Sequence, residues 1–130
     1  MSIKKKVYLA GPMRGVPEFN FPQFFVAAKK LEEAGFVVFN PAARDNQRHG
    51  TDVSQGNLTG DMEQLNKEHG FDLRVALHED LSFICLEADM IAMLPRWQNS
   101  KGATAERAMA IAIGLEIVWL RADGEIFYHE

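Results

Sequence analysis

Four short apolar runs, spaced by stretches of helical period, constrain this chain more than any other feature. They are residues 7–10 (VYLA), 36–39 (FVVF), 90–94 (MIAML) and 116–120 (EIVWL). The first two stop at Gly11-Pro12 and Asn40-Pro41, and the third stops at Pro95. Runs this short, bounded by turn residues, predict buried strands. After Asn20-Phe21-Pro22, which has the form of a helix start with proline in its first turn, Phe24, Ala27, Ala28 and Leu31 recur at helical spacing up to Gly35. Leu77, Leu81, Ile84 and Ala88 form a second helical stripe, and residues 102–113 predict a third helix closed by Gly114. Strands alternating with helices imply a mainly parallel sheet covered on both faces through right-handed crossovers. The expected fold class is therefore α/β, a single-domain flavodoxin/Rossmann-like three-layer sandwich over residues 1–130.

Composition narrows the setting. At 130 residues, 47% hydrophobic and 25% charged, the chain suits one globular domain and excludes disorder, collagen and a disulfide scaffold. Fourteen basic against eighteen acidic residues give a net charge of −4, so no polymeric nucleic acid is expected as a partner. The longest apolar or glycine stretch, residues 108–115, is far short of the roughly 20 residues a membrane span needs. Lys4, Lys5 and Lys6 precede the first strand as in a signal peptide, but the hydrophobic run halts at Gly11-Pro12. With Cys85 the only cysteine, a reducing, cytoplasmic location and no membrane partner are expected.

Residues 42–72 break the alternation: glycines and threonines cluster between Gly50 and Gly60 among histidines and amides. A loop this long is commonly functional or mobile, and a polar surface insertion and a lid both remain open readings. In open parallel sheets ligands gather at the carboxyl ends of strands. That rule brings residues 11–20, the segment after Asn40 and residues 95–102 to one place.

Two carboxylates stand out there. On a helical wheel Ala103, Glu106, Met109, Ala110 and Ile113 share about one third of the circle, so Glu106 sits within an apolar face. About one turn into its helix, the dipole favours an ionised Glu106, which could act as a nucleophile. The competing reading is a surface ion pair with Arg107 or Lys101. Asp80 flanks the Leu77 stripe while Glu79 points away, and Asp80 could serve as a general acid or as a helix-start contact. Gly11, Met13, Arg14 and Gly15 follow the first strand as a possible anion cradle. Ser100, Lys101 and Gly102 bring a hydroxyl, an ammonium and helix N–H groups together. The first loop lacks the lysine-bearing P-loop pattern, which excludes that class of nucleotidase. His49, His69, His78 and His129 show no paired ligand spacing, so neither a metal nor another cofactor is expected. Arg96-Trp97 could stack on a base or simply pack.

Tyr8-Leu9-Ala10-Gly11-Pro12-Met13-Arg14-Gly15, then Asp80-Leu81 ahead of Ala88-Asp89, then Ser100-x-Gly102-x-x-x-Glu106, resembles the nucleoside 2-deoxyribosyltransferase superfamily. That superfamily includes the 2′-deoxynucleoside 5′-phosphate N-hydrolases. Within it, the chain resembles small bacterial and phage members beginning YLAGPMRG. The resemblance runs from Val7 to about Leu120, with residues 42–72 unmatched. It implies a retaining glycosyl transfer in which Glu106 attacks C1′, Asp80 moves a proton to or from the base, and Tyr8 orients Glu106. Where the transferases place an acidic residue for the 5′-hydroxyl, this chain has Ser100, as the monophosphate hydrolases do. Met13, Arg14 and Gly15 would then add loop amides to a 5′-phosphate site. Pro12 departs from the hydrolases, which carry a phosphate-contacting serine there, and Arg14 or Arg96 would have to compensate.

The expected function is cleavage of the N-glycosidic bond of a (deoxy)nucleoside 5′-monophosphate, by hydrolysis or base exchange. The alternatives are deoxyribosyl transfer between free deoxynucleosides, and a non-catalytic nucleotide-binding module. The implied partners are a small nucleoside or nucleotide and, from the resemblance, further copies of the chain in a homo-oligomer.

Overall fold

The strand that organises the molecule is β1 (Lys6–Ala10), because its side chains alternate between two different helical layers. Val7 and Leu9 face one way and Tyr8 and Ala10 the other, as the pleat requires. The computed structural model describes residues 4–129, so residues 1–3 and 130 of the expected domain lie outside the described residues. β1 pairs in parallel with β2 (Val37–Phe39) on one side and β3 (Met90–Met93) on the other. β3 in turn pairs in parallel with β4 (Glu116–Leu120). The strand order is β2-β1-β3-β4-β5.

Helix α1 (Phe21–Glu33) lays Phe24, Ala27, Ala28 and Leu31, the residues expected from their spacing, on the Val7/Leu9 face. On the opposite face α4 (Leu73–Leu86) and α5 (Lys101–Ala112) pack Ile84, Ala103 and Ala110 against Tyr8, Ile91 and Met93. Each buried Val, Leu, Ile, Phe or Met among them contributes about 1.5–3 kcal/mol. The result is the expected α/β three-layer sandwich with a mostly parallel sheet. Among the described residues no helix is long and apolar enough to cross a membrane.

Several local expectations are corrected. Residues 42–72 are not one loop: they contain most of α2 (Pro41–His49) and all of α3 (Met62–His69). Asn40 accepts from the Ala42 N–H at 3.0 Å and Pro41 follows it, so the pair that ends β2 also starts α2. Asp61 likewise caps α3 by accepting from the Glu63 N–H at 2.9 Å. A fifth strand, β5 (Ile126–His129), adds antiparallel to β4 after a turn in which Asp123 accepts from the Glu125 N–H. Asn20 does sit at the start of α1, but in a left-handed conformation and with no capping bond from its side chain. Ile113 lies beyond the end of α5 and is exposed rather than on its buried face.

Candidate active site

In this strand order the chain leaves β1 toward β2 and returns through β3 toward β4, so the crevice opens between β1 and β3. Ligands collect at such a switch point, outside the carboxyl ends of the strands. The structure forms there a partly open cavity of about 70 Å³ whose lining includes Tyr8, Asp80, Ser100 and Glu106.

Each polar group is placed by a simple local cause. Tyr8 must face α4 and α5 because its neighbours Val7 and Leu9 face α1. Its ring stacks on Phe39 at 5.4 Å and lies 6.4 Å from Phe83, which leaves the hydroxyl to donate to Glu106 Oε2 at 2.6 Å. Glu106 is buried with Ala103 and Ala110 along one face of α5, so the surface ion pair with Arg107 or Lys101 is overturned. On α4 the buried stripe is Ala76, Asp80, Phe83 and Ile84. Leu77 and Leu81 are only half-buried, so Asp80 stands in the stripe instead of beside it.

Electrostatics follow burial. Removal from water pushes the Glu106 carboxyl up to about 8, with the charge of Asp80 adding to it and the Tyr8 hydrogen bond opposing it. Asp80 is raised to about 7, first by burial and next by the charge of Asp45. The expectation that the helix dipole keeps Glu106 ionised is therefore corrected: desolvation outweighs the dipole. Oδ1 of Asp80 is buried without a hydrogen-bond partner among the described residues. Burial likewise drives the Tyr8 hydroxyl well above its usual range, so it remains a donor.

Ser100 begins α5, its Oγ accepting from the Ala103 N–H at 3.1 Å while its carbonyl accepts from Thr104. The serine hydroxyl hydrogen and the first amides of the helix are left for a ligand. Ser100 and Gly102 line the cavity; Lys101 is exposed and does not. Gly11, Met13 and Arg14 line it as well. Gly11 has no room for a side chain, since a Cβ there would meet Leu94 at 2.8 Å. The Gly15 N–H is already taken by the Gly60 carbonyl at 2.9 Å, and Gly15 is not part of the wall. Arg96 lines a separate groove with Trp97 and Trp119, away from the carboxylates. Trp97 packs on Trp119 at 5.6 Å under the Arg107 guanidinium, so it is engaged in packing.

Two features add to the sequence reading. Residues 42–72, open there between a surface insertion and a lid, roof the cavity: Val53, Met62, Leu65 and Phe71 are in its wall. The roof is fastened to the first loop by Gly15 N–H to Gly60 and by Glu18 N–H to Asn57 at 2.7 Å. Gly60 is required at that junction, because its φ is +69° and a Cβ would lie 2.3 Å from the Val16 carbonyl oxygen. Opposite it, Glu18, Phe19 and Asn20 all take positive φ, a strained turn that drives Phe19 into the cavity wall. The second is Asp45, a third carboxylate in the wall, only 5% exposed. Its only sequence signal was the Asn40-Pro41 helix start, which puts Asp45 one turn into α2.

A comparison with curated proteins finds no match to the chain. The pattern of the domain of unknown function DUF4406 matches residues 5–119, from β1 through all but the last residue of β4, and the chain belongs to that family.

Proposed function

We propose that the protein cleaves the N-glycosidic bond of a (deoxy)nucleoside 5′-monophosphate through a glycosyl ester on Glu106. One observation carries this reading: the buried Tyr8–Glu106 hydrogen bond of 2.6 Å, in the same cavity as Asp80. The DUF4406 family is associated with nucleoside 2-deoxyribosyltransferase-like proteins, which agrees with the resemblance of the motifs.

The steps follow from the two acids. The Glu106 carboxylate attacks C1′ as the C1′–N bond breaks, and the bonding pair goes to the base nitrogen, which takes the Asp80 proton. Water or a second base then attacks C1′, gives its proton to Asp80, and releases the Glu106 carboxylate. Glu106 attacks as its carboxylate, so a proton it carries passes to solvent first, and the Tyr8 donor favours the charged form. Ser100, Gly102 and Arg14 are the groups in the wall suited to a 5′-phosphate.

Base exchange on unphosphorylated deoxynucleosides is the second reading. It is favoured by the exposed position of Lys101 and by the engagement of the Gly15 amide with Gly60. Assembly into a homo-oligomer is proposed alongside, supported by the exposed apolar side chains Leu86, Ile111 and Ile113. Sedimentation at micromolar concentration reads it, and a purely monomeric boundary rejects it.

The test of function is a panel of nucleosides and their 5′-monophosphates, assayed for free base, with mass spectrometry of the denatured protein. Release of base with a sugar adduct on Glu106 supports the reading. No release from any member of the panel leaves a binding module.

A further inference from the structure

Asp45 has no part in the steps above, yet it shares their cavity. Asp45, Asp80 and Glu106 are 5%, 7% and 6% exposed, and all three line the same wall. Three acidic side chains in so small a space are costly, since each is disfavoured by burial and by the others. Arg48 is what keeps Asp45 there. Its Nη2 donates to Asp45 Oδ1 at 2.6 Å and its Nη1 to Glu79 Oε1 at 3.4 Å, and Glu79 is the neighbour of Asp80 on α4. The clamp thus fixes α2 against the turn of α4 that bears Asp80. Arg48 itself is outside the cavity wall and holds Asp45, which is part of it. Within the wall, the buried Oδ1 of Asp80 has no hydrogen bond among the described residues to stabilise a charge.

We propose that Asp45 is a positioning residue for Asp80: its negative charge, held by Arg48 in the wall of the same cavity, keeps Asp80 in the acid form until the base departs. The catalytic consequence rests on the N-glycosidase reading; the electrostatic coupling does not. The charged and titratable groups acting on Asp80 are Asp45 and Arg48 from α2, Tyr8 from β1, Glu79 from α4 and Glu106 from α5. Asp45 and Glu79 favour the protonated form, while Tyr8 and Arg48 oppose it. Burial raises Asp45 itself only to about 6, because Arg48 restrains it, so it is charged at the pH where Asp80 must hold its proton.

The experiment is a carbon-13 NMR titration of the Asp80 carboxyl in the unliganded protein, for wild type, Asp45→Asn and Asp45→Glu. The expected result is a midpoint lower by about one pH unit or more in Asp45→Asn. Asp45→Glu, which keeps the charge, restores it. The alkaline limb of kcat/KM on a cleaved nucleotide moves with the midpoint. A residue that merely braced α2 would change stability and leave the midpoint in place. If Asp45→Asn does not fold, wild type alone decides: the Asp80 resonance must show a second inflection near pH 6, where Asp45 titrates. A single inflection with no response to Asp45 overturns the inference even when base release is normal. A moved midpoint without release of any base upholds the coupling and removes the N-glycosidase reading.

Discussion

The hydroxyl of Tyr8, on the strand beside the crevice, donates to Oε2 of Glu106, on the second turn of α5, at 2.6 Å. It is a side-chain bond between residues 98 apart in sequence, both almost fully buried. A bond this short to a carboxyl fixes the rotamer of Glu106 and favours its charged form. Tyr8→Phe removes only the hydroxyl. It should lower kcat about 10–100-fold, the equivalent of one charge-assisted hydrogen bond, with KM little changed. Steady-state kinetics on the best nucleotide of the panel check this. A loss confined to KM would mean that the tyrosine serves binding alone.

The raised acids have a consequence for stability. Asp45, Asp80 and Glu106 all bind protons more tightly when folded than their ordinary values, to about 6, 7 and 8. Between their ordinary values, roughly pH 4, and these raised ones, the folded state holds more protons than the unfolded state. Stability from these groups is therefore complete below about pH 4 and is lost as pH rises through 6 to 8. Differential scanning calorimetry should show the melting temperature falling across that window. Glu106→Gln, which cannot ionise, should flatten the fall and melt a few degrees higher than wild type at pH 8. An unchanged slope would show that Glu106 carries no such burden.

Much of this was legible in the chain, for reasons that particular residues make plain. Val7–Ala10 and Phe24–Leu31 were readable because burial imposes a period, and the period survives in sequence. Glu106 was readable as a polar break in an apolar face. A lid over residues 42–72 was readable but its two helices were not, since PAARDNQRH buries three side chains and MEQLNKEH one. Their caps, Asn40-Pro41 and Asp61, were the available signals, and Asp123-Gly124 was the corresponding signal for β5. Asp45 escaped because its role depends on α2 meeting α4, a tertiary contact made through Arg48 and Glu79.

The cavity of about 70 Å³ is small beside the roughly 300–1,000 Å³ of typical small-molecule sites, so the roof is expected to move as a nucleotide enters. Gly60→Ala places a methyl against the Val16 carbonyl and should unfasten the roof from the first loop. Amide exchange over residues 53–61 should accelerate, and KM should rise more than kcat falls. A saturating, non-cleavable nucleotide analogue should slow exchange over the same residues in wild type. Exchange indifferent to both changes would leave the roof a fixed wall.

The 5′-phosphate reading is tested at Ser100, whose hydroxyl also caps α5. Ser100→Ala confounds the two roles, since losing a cap costs about 0.5–2 kcal/mol of stability. Ser100→Gly separates them, because glycine caps almost as well and has no hydroxyl. In that variant kcat/KM on a monophosphate should fall about 10–100-fold, while the value on the matching nucleoside stays within a few-fold. A preference of wild type for the nucleoside would reject the phosphate and select base exchange on free deoxynucleosides.

The separate roles of the two acids are read with a leaving group that needs no proton. Asp80→Asn keeps the shape of the side chain but cannot donate, a loss of about 10²–10⁴ in rate on a natural base. An aryl oxide on the same sugar phosphate departs without protonation, so it should largely restore Asp80→Asn once bound. Glu106→Ala lacks the group that forms the ester, and no leaving group can supply it. Its rate should stay low on both substrates, and no sugar adduct should appear by mass spectrometry. Equal losses on both substrates for Asp80→Asn would remove its acid role. Full activity in Glu106→Ala would remove the covalent mechanism altogether.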